Sequence, residues 1–247
     1  MNNNQPLVSA IIHSFDRFEY LLNAVRSIEN QTYKNLELLL INDESSQEEY
    51  YQHSFPNFVK KIDIKKGELP NWSGSRQALI NIGVKYSSGK YIALLDDDDI
   101  WLPKKLEIQI NKMIEKNARF SSTEGLFGKG VYKPDYEYKL YNKEHFFKIL
   151  KKKFKKTKFL KNGNFPEYWD FEFLNIHNCV IKSSVVIEKD LYELVGGFRG
   201  LPKNADYDFW LSLLKHTDLL YINEPLFYYD GSHGDGKLYS REPKWFV

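Results

Sequence analysis

The sequence predicts an α/β protein whose core is a mostly parallel sheet flanked by helices. Short, β-branched apolar runs alternate with amphipathic helical periods through the first hundred residues, and the links between them are short. Parallel strands need crossover connections, and a strand covered on both faces reads as a continuous apolar run. Size is the third observation. At 247 residues and 42% hydrophobic content the chain can bury one large core, read here as a single domain over 1–247.

Leu7, Val8, Ala10, Ile11 and Ile12 supply the first strand. Leu21, Leu22, Val25 and Ile28 then recur at helical spacing, so residues 18–30 read as an amphipathic helix. A second buried strand at 36–41 ends in the polar loop 42–46, which leads toward another helix, and 58–64 reads as a third strand. Residues 74–86 carry Ala78, Leu79, Ile82 and Val84 on a helix that Gly89 is expected to close. The fourth strand, 90–95, runs straight into Asp96, Asp97, Asp98 and Asp99. Beyond them the alternation loosens. A helix is expected at 103–116 with Pro103 in its first turn, short strands within 118–133, a strand at 176–181, a turn at Gly196 and Gly197, and a helix at 206–216. Residues 1–100 thus read as one half, 101–230 as a smaller second half, and 231–247 as a terminal loop or tail.

Composition narrows the classes of function. Lys and Arg number 35 against 33 Asp and Glu, a net charge of +2, which gives no bulk attraction for nucleic acid. The single cysteine, Cys179, has no partner for an intramolecular disulfide and no Cys and His company for a zinc site, so a reducing cytoplasm is the expected setting. No apolar run approaches the roughly 20 residues that span a bilayer. Charge is nonetheless uneven. Eight lysines between Lys148 and Lys161 interleave with Phe154, Phe159 and Leu160, a pattern that suits a solvated face, an anion-binding lid or a peripheral membrane patch.

The four aspartates carry the strongest chemical signal. At about 4 Å and an effective dielectric near 20, each crowded carboxylate pair costs on the order of 4 kcal/mol. Such a cluster must be solvated, partly protonated or neutralised by a cation. If the backbone stays extended, Asp96 and Asp98 share a face and Asp97 points the other way. Hard oxygen ligands suit Mg²⁺ or Mn²⁺, which bind through one or two carboxylates plus substrate phosphates, so a nucleoside diphosphate would complete the shell. The plain alternative has Asp97 and Asp99 capping the turn before the next helix, with the others solvated.

The segments VSAIIHSFDR (8–17), IENQTY (28–33), LINDESS (40–46) and GKYIALLDDDDIWLP (89–103), followed by VGGF (195–198) and DYDFWL (206–211), resemble the family 2 inverting glycosyltransferases. The resemblance implies a GT-A fold and transfer of a sugar from a nucleotide sugar, a UDP-sugar by preference, to a hydroxyl of a glycan or glycoconjugate. It implies that His13, Ser14, Phe15 and Asp43 hold the base and ribose. A DXD element maps onto Asp96, Asp97 and Asp98, with Asp98 and Asp96 as ligands of Mn²⁺ or Mg²⁺ and Asp96 or Asp97 nearer the ribose. Arg76 is placed to reach a diphosphate, and His233, in a glycine-rich loop, to reach the metal or the diphosphate. Asp206 falls where the family has its general base, with Asp208 as rival, and Trp72 is a candidate for stacking on a sugar. Two alternatives differ in class. A sugar-nucleotide pyrophosphorylase would carry a glycine-rich loop after the first strand, and none is present. A degenerate sugar-binding subunit would have lost Asp98 or Asp206, and both remain.

Overall fold

Val8–Ser14 forms β1, with every residue but His13 buried, as its unbroken apolar run requires. The computed structural model describes residues 5–65 and 76–232, without the side chain of Arg76. Phe18–Glu29 (α1) follows and buries Phe18, Leu21, Ala24, Val25 and Ile28, one face of a helix at three- and four-residue spacing. Leu36–Asn42 (β2) pairs in parallel with β1, Val8 beside Leu36 and Ser14 beside Asn42. A short helix, Glu49–Gln52 (α2), leads to Val59–Asp63 (β3), parallel to β2. Ile80–Tyr86 (α3) covers the sheet before Tyr91–Leu94 (β4) returns on the other side of β1.

Gly89 does not close the third helix. A 3₁₀ turn over Arg76–Leu79 precedes α3, which ends at Ser87 in an extended conformation. Gly89 is needed for a close approach instead: a Cβ there would stand 2.6 Å from Ser9 Oγ and 2.8 Å from the Leu7 carbonyl, and its amide donates to Ser9 Oγ at 2.8 Å.

The second half is built differently. Ile100–Trp101 (β5) and Lys105–Glu115 (α4) lead into Phe120–Gly128 (β6), one nine-residue strand where short strands were expected, and α4 begins two residues later than Pro103 suggested. Lys139–Leu140 (β7) pairs with β6, and Phe147–Lys153 (α5) opens the lysine-rich stretch. Tyr168–Trp169 (β8) and Phe171–Ile176 (α6) follow. The strand expected at 176–181 is absent. Asp170 caps α6 by accepting the Phe173 amide at 2.7 Å, which takes Ile176 into the helix. Asn178 Oδ1 then accepts the Val180 amide at 3.1 Å, a local bond that competes with any ladder. A 3₁₀ turn, Lys182–Ser184, comes first, and the strand forms later as Val186–Glu188 (β9).

Lys189–Leu194 (α7), Ala205–Leu213 (α8) and Leu219–Asp230 (β10) complete the described chain. The sheet runs β3-β2-β1-β4-β9-β6-β10-β5, with β7 and β8 on β6 and β10. β9 is antiparallel to both β4 and β6, which stitches the parallel β3-β2-β1-β4 half to the parallel β6-β10 pair. One core packs α1 and α4 on one face of the sheet, and another packs α3, α6 and α8 on the opposite face. Gly196 and Gly197 adopt φ of +81° and +70°, the turn the sequence predicts, and Asn81 of α3 holds its exit by accepting the Phe198 amide at 2.9 Å and donating to the Phe198 carbonyl at 2.9 Å. Glu124 of β6 is buried and fully employed: it accepts the amides of Asn142 (2.9 Å), Lys143 (3.2 Å) and Gly125 (2.9 Å) and the Tyr221 hydroxyl (3.0 Å).

Candidate active site

The ends of β1, β2 and β4 meet at one edge, where open α/β sheets gather ligands. The Asp43 amide donates to the Ser14 carbonyl at 3.0 Å, and the Ser14 hydroxyl donates to Asp97 at 2.6 Å, so the tips of all three strands are tied together. Asp16 and Glu44, just past β1 and β2, both have φ of +51°. Non-glycine residues in that region cost energy and cluster where loops serve a ligand. The Asp16 carboxylate accepts from the Ser46 amide, which locks the two loops together.

The aspartates do not continue the strand. β4 stops at Leu94, and Asp96–Asp99 close a turn in which the Asp99 amide donates to the Asp96 carbonyl at 3.2 Å. Alternation therefore fails, and the carboxylates are distributed among several partners. Asp96 is ion-paired with Lys182. Asp97, 8% exposed, accepts from Ser14 and from Arg17 at 3.4 Å. Asp98 takes the other contact of Arg17 at 2.6 Å. Asp99 is buried, bonded to the Ser183 hydroxyl and to the Asp230 amide at 3.0 Å, so it fastens β10 to the turn and caps no helix. Burial pushes the Asp98 carboxyl up to about 7, helped by the charges of Asp97 and Asp96, and Arg17 opposes the shift.

On the second half, α8 presents two acids in its first turn, and they part company. Asp208 turns outward to Arg199, whose Nε donates to it at 2.7 Å. Asp206 turns inward, half-buried. Asn178 Nδ2 lies 3.5 Å from its Oδ2, and the charges of Lys182 and Asp96 both act on it. Burial raises its proton affinity, while the Tyr207 amide and the Lys182 cation hold it down. Asn204, in a left-handed conformation, occupies the N-cap position, so Asp206 is free of that duty.

Of the residues singled out in the sequence, the structure brings His13, Ser14, Phe15 and Asp43 to one rim with Asp96, Asp97 and Asp98, and places Asp206 across from them through Lys182. Arg76 opens the 3₁₀ turn before α3, and His233 and Trp72 lie outside the described residues. Sequence reasoning missed both cations. Arg17 belonged to the first quoted segment without a role, and Lys182 is the one charge in the otherwise uncharged stretch 179–187, which is the signal that could have found it.

Among the described residues no three acidic, histidine or cysteine side chains are arranged to enclose a metal ion. The donor chemistry nevertheless fits a hard divalent cation. Three carboxylates of the turn share two cations, Arg17 and Lys182, and the charges of Asp97 and Asp96 add to the burial that raises Asp98. Mg²⁺ and Mn²⁺ need only one or two carboxylates when phosphates supply the rest.

A sequence profile of glycosyl transferase family 2 matches residues 9–191. An uncharacterized glycosyltransferase of Methanocaldococcus jannaschii is 32% identical over 212 residues, 84% of this chain and 64% of that protein. The UDP-Glc:alpha-D-GlcNAc-diphosphoundecaprenol beta-1,3-glucosyltransferase WfgD of Escherichia coli is 35% identical over 115 residues, 46% of this chain and 44% of WfgD. An uncharacterized glycosyltransferase of Rickettsia bellii is 40% identical over 118 residues, and there the chain covers 47% of its own length and 16% of the relative. The chain thus spans less than two thirds of each of these relatives. The crystal structure of S. aureus TarS 1–349 in complex with UDP-GlcNAc superposes with a TM-score of 0.66 at 13% identity, over 92% of this chain and 59% of that one. At such identity the likeness speaks for the fold, which is GT-A.

Proposed function

From the premise that the chain belongs to glycosyl transferase family 2, we propose that it transfers a sugar, with inversion, from a nucleoside-diphosphate sugar to a hydroxyl of a glycan or glycoconjugate. UDP is the favoured carrier, supported by the UDP-Glc named for WfgD and by the UDP and UDP-GlcNAc bound to TarS. His13, Ser14, Phe15 and Asp43 hold the base and ribose at the tips of β1 and β2, and Arg76 reaches the diphosphate. Asp96, Asp98 and His233 are the ligands we assign to Mn²⁺ or Mg²⁺, which supplies positive charge against the departing diphosphate.

Asp206 takes the proton of the acceptor hydroxyl. The acceptor oxygen bonds to the anomeric carbon from the face opposite the diphosphate, the bond to the diphosphate breaks, and the nucleoside diphosphate leaves with its electron pair. Burial raises the proton affinity of Asp206 and so makes it a better base than a solvated carboxylate, while the Lys182 cation works against that rise. One observation carries the reading: of the two acids on α8, Asp206 alone faces the Asp96–Lys182 pair. A panel of nucleotide sugars and acceptors, read by nucleotide release and by the anomeric configuration of the product, tests it. Asp206→Asn should lower kcat by about 10²–10⁴-fold, the usual worth of general base catalysis, while Asp208→Asn stays near wild type. The reverse order would overturn the assignment.

A further inference from the structure

Residues 148–161 hold eight lysines and no acid, a charge of +8 in a chain whose total is +2, so everything else sums to −6. The structure sorts the segment's side chains by kind. Leu150, Phe154 and Leu160 are buried, and all eight lysines are exposed. Phe154 and Phe159 pack on Phe173 of α6 with ring centroids 4.8 and 5.1 Å away. The apolar members are thus committed to the core, and what faces outward is charge. Of the eight lysines only Lys158 has an acidic partner among the described residues, Glu172 at 2.6 Å. Phe171, the residue before that glutamate, is an exposed aromatic. Aromatic rings next to lysines suit the headgroup level of a bilayer.

The face also adjoins the acceptor side of the site. Phe154 packs on Phe173 of α6, the Leu174 carbonyl beside it accepts the Tyr207 hydroxyl of α8 at 2.8 Å, and Tyr207 is next to Asp206. We propose that this lysine face docks the protein on an anionic lipid bilayer, with the acceptor side of the site turned toward the surface. A flat anionic sheet fits a dense run of exposed lysines of which only Lys158 is neutralised by a neighbouring acid, because one surface can meet the others together. A nucleic acid would follow a basic track across the surface, which this charge distribution does not offer. The inference deepens the proposed function by naming where a lipid-linked acceptor would be met. It rests on that reading for the acceptor alone, since docking needs neither donor nor turnover.

Sedimentation of the full chain with vesicles tests it. Vesicles of phosphatidylcholine mixed with phosphatidylglycerol should pellet the protein at low salt, pure phosphatidylcholine should not, and about 0.5 M salt should release it, since screening then acts within a few ångström. Each lysine at an anionic surface is worth about fivefold in partitioning, so the variant Lys151→Gln/Lys152→Gln/Lys155→Gln/Lys156→Gln should lose about 100-fold or more at an unchanged melting temperature. Equal binding to pure phosphatidylcholine, binding indifferent to salt, or wild-type partitioning of the variant would overturn the proposal. So would retention on an oligonucleotide without binding to the mixed vesicles. Asp206→Asn, run alongside, should sediment as wild type, so a failed transfer assay and a failed docking assay remain separate results.

Discussion

Among the described residues two lysines are sealed inside the protein, and their surroundings are opposite. Lys182 lies 6% exposed among Asp96, Asp97 and Asp206; burial lowers its pKa, but those carboxylates outweigh burial and raise it. Lys105 of α4 is wholly buried with no acid beside it. It donates to Gln109 Oε1 at 2.6 Å and lies 4.6 Å over the Trp101 ring, and burial drives its pKa well down. Gln109 passes the bonding on to Ser121 Oγ and the Ser184 carbonyl, each at 2.9 Å, so Lys105 ends a polar thread that packs α4 on the sheet. Burial by itself therefore does not mark a working cation. Acidic company does.

The comparison is most easily broken at Lys182. Lys182→Met strands Asp96 and should cost about 2–3 kcal/mol, less than the 3–5 of a fully buried pair because Asp96 is 29% exposed. Urea unfolding measures it, and adding Asp96→Asn should restore most of the loss. If the single variant were as stable as wild type, the pair would be a bystander. A buried acid without a cation extends the contrast. Glu124→Gln puts an amide among donors that now meet a carboxylate, at a cost of about 1–2 kcal/mol by the same measurement. The smallest effect separates Lys105 from Lys182 by pH. The folded pKa of Lys105 lies below the unfolded value, so between the two the unfolded chain binds more protons and stability rises with pH. Wild type should gain on Lys105→Met between pH 8 and 9 by at most about 1.4 kcal/mol. A flat difference would mean that the amine stays charged.

The two halves of the chain were unequally legible. β1, β2 and β4 could be read because each is covered on both faces and leaves an apolar run, and the links between them are local. Past Asp99 the same reading stumbled at 176–181, where an Asp170 cap and an Asn178 side chain redirected an apolar stretch that periodicity alone reads as strand. In the site, the run of aspartates announced itself, but the turn it makes did not, since extended and turned backbones share one sequence pattern. Asp206 and Asp208 looked alike for a related reason. They differ by rotation about α8, which is fixed by packing of Ala205, Phe209, Trp210 and Leu213 in the core, and no local pattern tells which acid then faces Lys182 and which Arg199.

Glu124 grips the backbone where the lysine-bearing excursion leaves β7, and β8 secures its return on β10. Between those two anchors Leu150, Phe154 and Leu160 hold the span down a third time in the core, so its inner side is fixed and only its outer residues are at liberty. Natural variation can thus repaint that exterior, and descendants could acquire new outward habits while inheriting the same nucleotide-facing floor.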